Sequence, residues 1–419
     1  MKTKFTRNVA TLITGTAVAQ ALPIALSPIL TRLYSPEDFG VFAVFMAVSA
    51  ILTIVVTGRY ELAILVPEND ELAVNIVALS ILLTISVSVL ILAIVLVFGS
   101  QIAVILGTKK ILPWLYFVPL STLIAGCFQT LNYWNNRCSN YKKMAFSRVT
   151  QSFTASILQM GLGVFKFGSL GLIAAQILGQ IFALFYLIRT TNFKRNSNNL
   201  NRLSKKNLVK VAKEYKKFPK YLILAHGFNT GSSQAPALLL SSLFSAATAG
   251  YYTLTQRVLS APVKLVAEAI KDVFRQEASY RYAKNKECRV IYLTTLKKLF
   301  FLSFLPFSIL LFTAEPLFIF IFGQDWAAAG LYASVLTPVF FLRFIASPLS
   351  AMFMIAEEQK IDLLWQIVLL ALVILSIFFG SLYESILIAL ICFSFSYSLM
   401  FIVNLYLSYK LACGVKFYD

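Results

Sequence analysis

Twelve apolar segments alternate with polar loops along this chain, and its positive charge falls almost entirely on one side of them. The segments cover residues 9–31, 40–57, 73–98, 112–132, 147–165, 170–188, 221–243, 247–267, 299–321, 329–355, 363–379 and 385–408. Each has about the 17–25 residues that a helix needs to cross a bilayer core. Of the 37 Lys and Arg, 30 lie in the two tails and the even-numbered loops, whereas the odd-numbered loops hold only Arg32, Lys109, Lys110 and Lys166. Short loops rich in Lys and Arg stay in the cytoplasm during insertion. The pattern predicts an all-α integral membrane protein with twelve transmembrane helices and both termini cytoplasmic.

Composition excludes the soluble classes. A chain that is 58% hydrophobic and 13% charged, with mean hydropathy +0.77, has too few polar residues to cover a globule. The net charge of +19 would suit nucleic acid. It sits beside the membrane, however, where each Lys or Arg gains about 1 kcal/mol from anionic lipid, so membrane lipids are the expected partner and nucleic acid is not. Of the five cysteines, Cys127 and Cys392 are intramembrane and Cys138, Cys288 and Cys413 cytoplasmic, so no disulfide framework is expected. Lys2, Lys4 and Arg7 precede an apolar run in the manner of a signal peptide. The run passes Ala17-Val18-Ala19 and continues to about Leu30, too long for such a peptide, which predicts an uncleaved first helix. The outer loops are short and leave no room for a catalytic domain.

The longest break, residues 189–220, divides the spans six and six. The expected organisation is a six-helix bundle over 1–190, a basic cytoplasmic linker over 191–220 and a second six-helix bundle over 221–419. Within the linker, Leu208, Val211, Ala212 and Tyr215 recur at helical spacing among lysines, which predicts an amphipathic helix in the plane of the interface. A weak repeat relates the halves. Leu33-Tyr34-Ser35 followed by Gly40 matches Leu243-Phe244-Ser245 followed by Gly250, offset by 210 residues. Both copies run outward and turn back, so the repeat is parallel, and halves of this kind enclose a central site. Ser35 and Asp38 form a capping box, with Pro36 at the first helical position. Ten prolines inside the spans bend helices around a cavity or simply reflect their frequency in membrane helices.

Three cations lie inside spans: Arg257, Lys264 seven residues later on nearly the same face, and Arg343. A charge at the bilayer centre costs roughly 2.5–3.5 kcal/mol, so it faces water or a partner. With no acid at matching depth, the three predict a cavity for an anion, although Lys264 can also snorkel to the interface. His226, the only histidine, begins a polar stripe with Asn229, Thr230 and Ser233. It is either a proton site or an interhelical hydrogen-bonding group. Gln20, Gln151, Gln159, Gln176, Gln180, Gln366 and Asn404 line a cavity or bridge helices. No nucleophile–histidine–carboxylate set, metal-ligand cluster or phosphate loop is present in the pattern, so transport rather than catalysis is expected.

Several stretches resemble the Wzx-type polysaccharide flippases of the multidrug/oligosaccharidyl-lipid/polysaccharide (MOP) superfamily. They are Leu30-Thr31-Arg32-Leu33-Tyr34-Ser35-Pro36-Glu37-Asp38-Phe39-Gly40, Gly58-Arg59-Tyr60-Glu61-Leu62-Ala63-Ile64-Leu65-Val66-Pro67, the stretch from Gly250 through Arg257, Pro262 and Phe274 to Glu277, and the run from Arg343 through Pro348 to Trp365. The resemblance implies a MATE/MOP-like fold of two six-helix bundles around a central cavity. It also implies export of undecaprenyl-pyrophosphate-linked O-antigen or capsular repeat units across the bacterial inner membrane by alternating access. Its partners would be that lipid-linked oligosaccharide, a polysaccharide polymerase and a chain-length regulator. The string containing Arg59 and Glu61 matches the family, and with Arg32 these residues form either gates or structural ion pairs. No cofactor or metal is expected, with a proton or sodium gradient as the open source of drive. A MATE-like cation exporter and a membrane-embedded polymerase or glycosyltransferase are the alternatives.

Overall fold

A computed structural model describes residues 2–191 and 205–415, and the first part of the expected linker, residues 192–204, lies outside them. The described residues form helices without strands. In chain order these are α1 (Lys2–Ala25), α2 (Ser27–Leu33), α3 (Pro36–Val56), α4 (Asp70–Ile105), α5 (Val118–Arg137), α6 (Tyr141–Val164), α7 (Ser169–Thr190) and α8 (Lys205–Glu214). The rest are α9 (Ile223–Leu243), α10 (Ala246–Leu259), α11 (Glu268–Asn285), α12 (Arg289–Phe322), α13 (Ala327–Leu349), α14 (Gln359–Leu382) and α15 (Ile386–Ala412).

Among the described residues, eight helical segments are long and apolar enough to cross a membrane, and a ninth arises if Lys109–Leu115 and Val118–Arg137, bent by 50°, form one span. This is a multi-pass membrane protein. Its lipid-facing sides carry side chains that water would not tolerate: Phe312 and Phe320 of α12 are 82% and 83% exposed. The other three expected spans are helical too, but they stand apart. α6 and α9 are diluted by polar side chains, and α10 stops after 14 residues, followed by Pro262 and a π-turn at Val263–Ala267. Proline removes a backbone donor and π-turns mark interrupted helices, so the break lies where the sequence dictates it. Polarity inside a membrane helix is expensive and marks function, so these three helices are where a site is to be sought.

The chain divides into two compact units. One comprises Met1–Leu26 and Val41–Gln234, the other Ser27–Gly40 and Ala235–Asp419. The first therefore gains the linker helix and the start of α9, while the second takes α2 and the start of α3 from the chain's first half.

In the first unit, α6 pairs with α7 and with α1, and α5 packs on α4 and α7. Gly126 of α5 permits the approach to α4, since a Cβ there would lie 2.6 Å from the Thr84 methyl group. Arg137, at the end of α5, ties down the loop before α4. Its guanidinium donates to Asp70 at 3.0 and 3.1 Å and to the carbonyls of Ile64, Pro67 and Glu68 at 3.0, 2.6 and 3.1 Å. The amphipathic helix forms as α8, but its apolar face meets protein rather than lipid. Val211 is buried, and Leu208, Ala212 and Tyr215 pack against Tyr60, Ile64, Ala73 and Trp134. The Tyr60 hydroxyl donates to the Ala212 carbonyl at 2.9 Å. An apolar stripe suits either environment, and here a protein surface covers it.

In the second unit, α12 pairs with α13, which also packs on α10 and α15, and α14 pairs with α15. The expected capping box forms: Ser35 N and Oγ donate to Asp38 Oδ2 at 3.1 and 2.7 Å, and Asp38 N donates to Ser35 Oγ at 3.2 Å. Its counterpart Ser245 caps α10, accepting from Thr248 N at 3.1 Å. The repeat copies touch symmetrically. A Cβ on Gly40 would overlap the Ala246 carbonyl oxygen, and one on Gly250 the Pro36 carbonyl oxygen, each four residues before the partner glycine. Trp326, fully buried, locks the Ser27–Gly40 segment in place. Its indole Nε1 donates to the Thr31 carbonyl at 2.9 Å and its ring meets Phe39 edge-on at 5.0 Å.

Candidate functional site

Each unit contains a cluster of cations. In the second unit it is the one expected from sequence. Arg257, near the end of α10, donates from Nη1 to Ser27 Oγ at 3.4 Å and lies 5.7 Å from the centre of the Phe39 ring. Both contacts come from the segment that Trp326 locks, so the guanidinium is positioned by the repeat junction. Arg343 of α13 sits 5.9 Å over the Phe340 ring, within electrostatic reach of Tyr252 and Tyr397. Lys264, exposed on the π-turn, is within electrostatic reach of both arginines. Among the described residues none of the three has a carboxylate partner. Three like charges in low dielectric repel one another, and an anion with several acceptor oxygens relieves the repulsion.

The cluster in the first unit was only partly expected. A cavity of about 540 Å3 is lined by Arg59, Tyr133, Arg148 and His226, with Gln129, Asn132 and Asn136. Arg59 enters it from a strained turn: Gly58 and Arg59 both have φ near +60°, a left-handed conformation rare outside glycine, before a 3₁₀ turn over Tyr60–Leu65. The turn brings Glu61 under Arg59, with Nη1 3.3 Å from Oε1, the carboxylate fully buried and the guanidinium side chain 12% exposed. Arg59 and Glu61 are thus an ion pair whose cation opens into the cavity. Arg148, at the start of α6, donates to Thr16 Oγ1 of α1 at 2.8 Å. Asn132 Oδ1 and Gln129 Oε1 are buried without a hydrogen-bond partner. Unsatisfied buried acceptors cost about 1–3 kcal/mol each, a cost that a donor-bearing ligand removes.

A second chamber, of about 280 Å3, shares Arg59 and Gln129 with the first. Its other walls are uncharged: Ser49 and Thr53 of α3, Ser121 of α5, Gln180 of α7 and Thr230 of α9, with Met46, Ala50, Ile54 and Ala125.

Of the expected polar stripe on α9, His226 lines the larger cavity and Thr230 the smaller. Asn229 is exposed, and the Ser233 hydroxyl donates to the Thr230 carbonyl at 2.9 Å. Arg32 is exposed at the end of α2 without an ion-pair partner among the described residues. Tyr133, Arg148, Gln129, Asn132 and Asn136 did not stand out in the sequence. The usable signal was the low hydropathy of the fifth span, which makes lipid an unsuitable neighbour for α6.

Residues 29–331 match the family model described as polysaccharide biosynthesis protein. The chain belongs to that family. The succinoglycan biosynthesis transport protein ExoT of Rhizobium meliloti (strain 1021) is 24% identical over 350 residues, covering 80% of this chain and 67% of that protein. Among solved structures, the lipid II flippase MurJ in an inward closed conformation superposes with a TM-score of 0.71 at 12% identity, covering 96% of this chain and 90% of that one. An inward-facing MATE-family multidrug resistance transporter of the MOP superfamily gives a TM-score of 0.63 at 15% identity over 98% and 96% of the chains. The family member described here therefore has the fold of MOP transporters.

Proposed function

We propose that this protein carries lipid-linked oligosaccharide units across the membrane, moving undecaprenyl-pyrophosphate-linked repeat units from the cytoplasmic to the periplasmic leaflet by alternating access. The observation that carries the reading is the cluster of Arg257, Lys264 and Arg343, three cations within electrostatic reach of one another and with no carboxylate partner among the described residues. A pyrophosphate offers several charged acceptor oxygens, and a guanidinium meets such a group with two parallel bonds. Arg59 and Arg148 supply the same chemistry in the first unit. The headgroup moves through protein while its polyprenyl chain stays in lipid, so the residues need only bind and release, with no covalent bond broken.

The names of the relatives support the reading: ExoT is a succinoglycan biosynthesis transport protein, and MurJ a lipid II flippase. A cation exporter on this fold would need carboxylates for its cargo, and the charge of the cluster has the opposite sign.

The test is the lipid-linked material left when the gene is deleted. Complete, unpolymerised repeat units should accumulate on the inner leaflet, protected from an impermeant periodate probe and identified by mass. Complete units facing outward would mean a polymerase, and truncated sugars a glycosyltransferase; either result overturns the proposal.

A further inference from the structure

Arg59 reaches its cavity from backbone that needs outside support. Gly58 and Arg59 are successive left-handed residues, and the second carries a side chain. Such strain persists only where the surrounding structure over-determines it. The hydrogen bonds inside the turn are long, from Arg59 N to Thr57 Oγ1 at 3.3 Å and from Leu62 N to the Arg59 carbonyl at 3.3 Å, so the restraint comes from elsewhere. At the far end Arg137 takes the carbonyls of Ile64 and Pro67. At the near end the anchor is α8. The Tyr60 ring, 8% exposed, covers Gly58, where a Cβ would lie 3.1 Å from it, and packs among Leu208, Val211 and Tyr215. Its hydroxyl donates to the carbonyl of Ala212, 152 residues later. The π-turn Phe218–Leu222 then packs on the 3₁₀ turn and leads directly into α9, whose His226 lines the cavity with Arg59. The linker thus steadies two cavity residues, while α8 contributes none to the lining. This anchor is itself weakly held. A helix of ten residues is marginal alone, and the exposed Lys210, Lys213, Lys216 and Lys217 repel one another. Docking therefore supplies most of its stability, through one hydrogen bond and an apolar stripe.

We propose that α8 positions Arg59: docked on Tyr60 it holds the guanidinium at the cavity wall, and when it lifts the turn relaxes and the cavity loses affinity for its anion. The inference rests on the reading of Arg59 as a diphosphate ligand. It makes the linker a control on cargo affinity that never touches the cargo. Whatever lifts α8 lowers binding, and by linkage a bound diphosphate strengthens the docking of α8.

The experiment compares the purified full-length protein in lipid nanodiscs with its Val211→Asp variant, which places a charge in the buried stripe. Amide exchange reads the docking, and calorimetry reads the affinity for geranyl diphosphate. Val211→Asp should raise exchange in Lys205–Glu214 and in Tyr60–Leu65 together, and should weaken the probe by roughly tenfold, close to the loss in Arg59→Ala. In an Arg59→Ala background it should cost nothing further, a result that general damage to the fold would not give. Saturating probe should slow exchange in Lys205–Glu214 of the wild type and not of Arg59→Ala. If Val211→Asp does not reach the membrane, Val211→Ala with Tyr60→Phe runs the same cycle with a smaller expected loss. Four results overturn the positioning role: an α8 that stays protected in Val211→Asp, a turn that stays protected while α8 exchanges freely, an equal affinity loss with and without Arg59, or an affinity that Val211→Asp leaves unchanged although Arg59→Ala weakens it. The diphosphate reading fails separately, through an Arg59→Ala variant that binds the probe as well as the wild type while Val211→Asp still loosens the turn.

Discussion

The two cationic clusters solve the same electrostatic problem in different ways. In the second unit the two arginines lie over aromatic rings, and neither they nor Lys264 beside them have an acid to neutralise them among the described residues. In the first, Arg59 is half-satisfied by buried Glu61, and the wall beside it is built from carboxamides and hydroxyls. One arrangement leaves its cations without an acid among the described residues; the other pairs one of its cations with a carboxylate. If the ligand is the proposed diphosphate, the difference matters for turnover, because a site that binds it too tightly does not release it.

The comparison breaks most readily at the acid-free cluster. Arg257→Ala or Arg343→Ala should weaken pyrophosphate binding by roughly 10- to 100-fold, since each charge-assisted hydrogen bond contributes about 1.5–3 kcal/mol. Surface polysaccharide should fall with protein still present in the membrane. Lysine at either position should recover part of the activity, because charge returns without the planar fork. Normal polymer with both alanine variants, at normal expression, would make these arginines structural.

Glu61 sharpens the contrast. If it competes with ligand for Arg59, Glu61→Gln should tighten pyrophosphate binding several-fold while lowering stability by about 1–3 kcal/mol, because a largely buried guanidinium loses its charged partner. Calorimetry and thermal unfolding on the same preparation separate the two effects. Weaker binding would show that the carboxylate orients the guanidinium instead of restraining it.

The smallest expected effect concerns the linker. Tyr60→Phe removes one hydrogen bond to α8, about 1 kcal/mol, and should raise amide exchange in Lys205–Glu214 by roughly fivefold. Unchanged exchange would assign the docking of α8 wholly to its apolar face.

How much of this was legible beforehand follows from contrast. Arg257 and Arg343 stood out because apolar neighbours surround them in sequence, and the family resemblance reached the MOP fold that the structural matches bear out. Arg148 lies at the first turns of a polar helix and counted as a loop residue. Gln129, Asn132 and Asn136 sit at the polar end of α5, where carboxamides attract no notice until a cavity opens beside them. The repeat identified Gly40 and Gly250 as equivalent, but not that they meet, because contact depends on how far each backbone can approach. Periodicity marks an apolar stripe on the linker helix, yet it does not say whether lipid or protein covers the stripe.

The membership of Ser27–Gly40 in the second unit has a consequence in time. Gly40 and Gly250 are 210 residues apart, and at about 5–20 residues per second a ribosome needs roughly 10–40 s to pass from one to the other. Throughout that interval the early segment waits without Ala246 to meet Gly40 and without Trp326 to close over it. Ser27 and Phe39, which later steady Arg257, are already made. The acid-free cluster is therefore among the last parts of the molecule to be completed, and a chain interrupted before its second half carries none of its three cations.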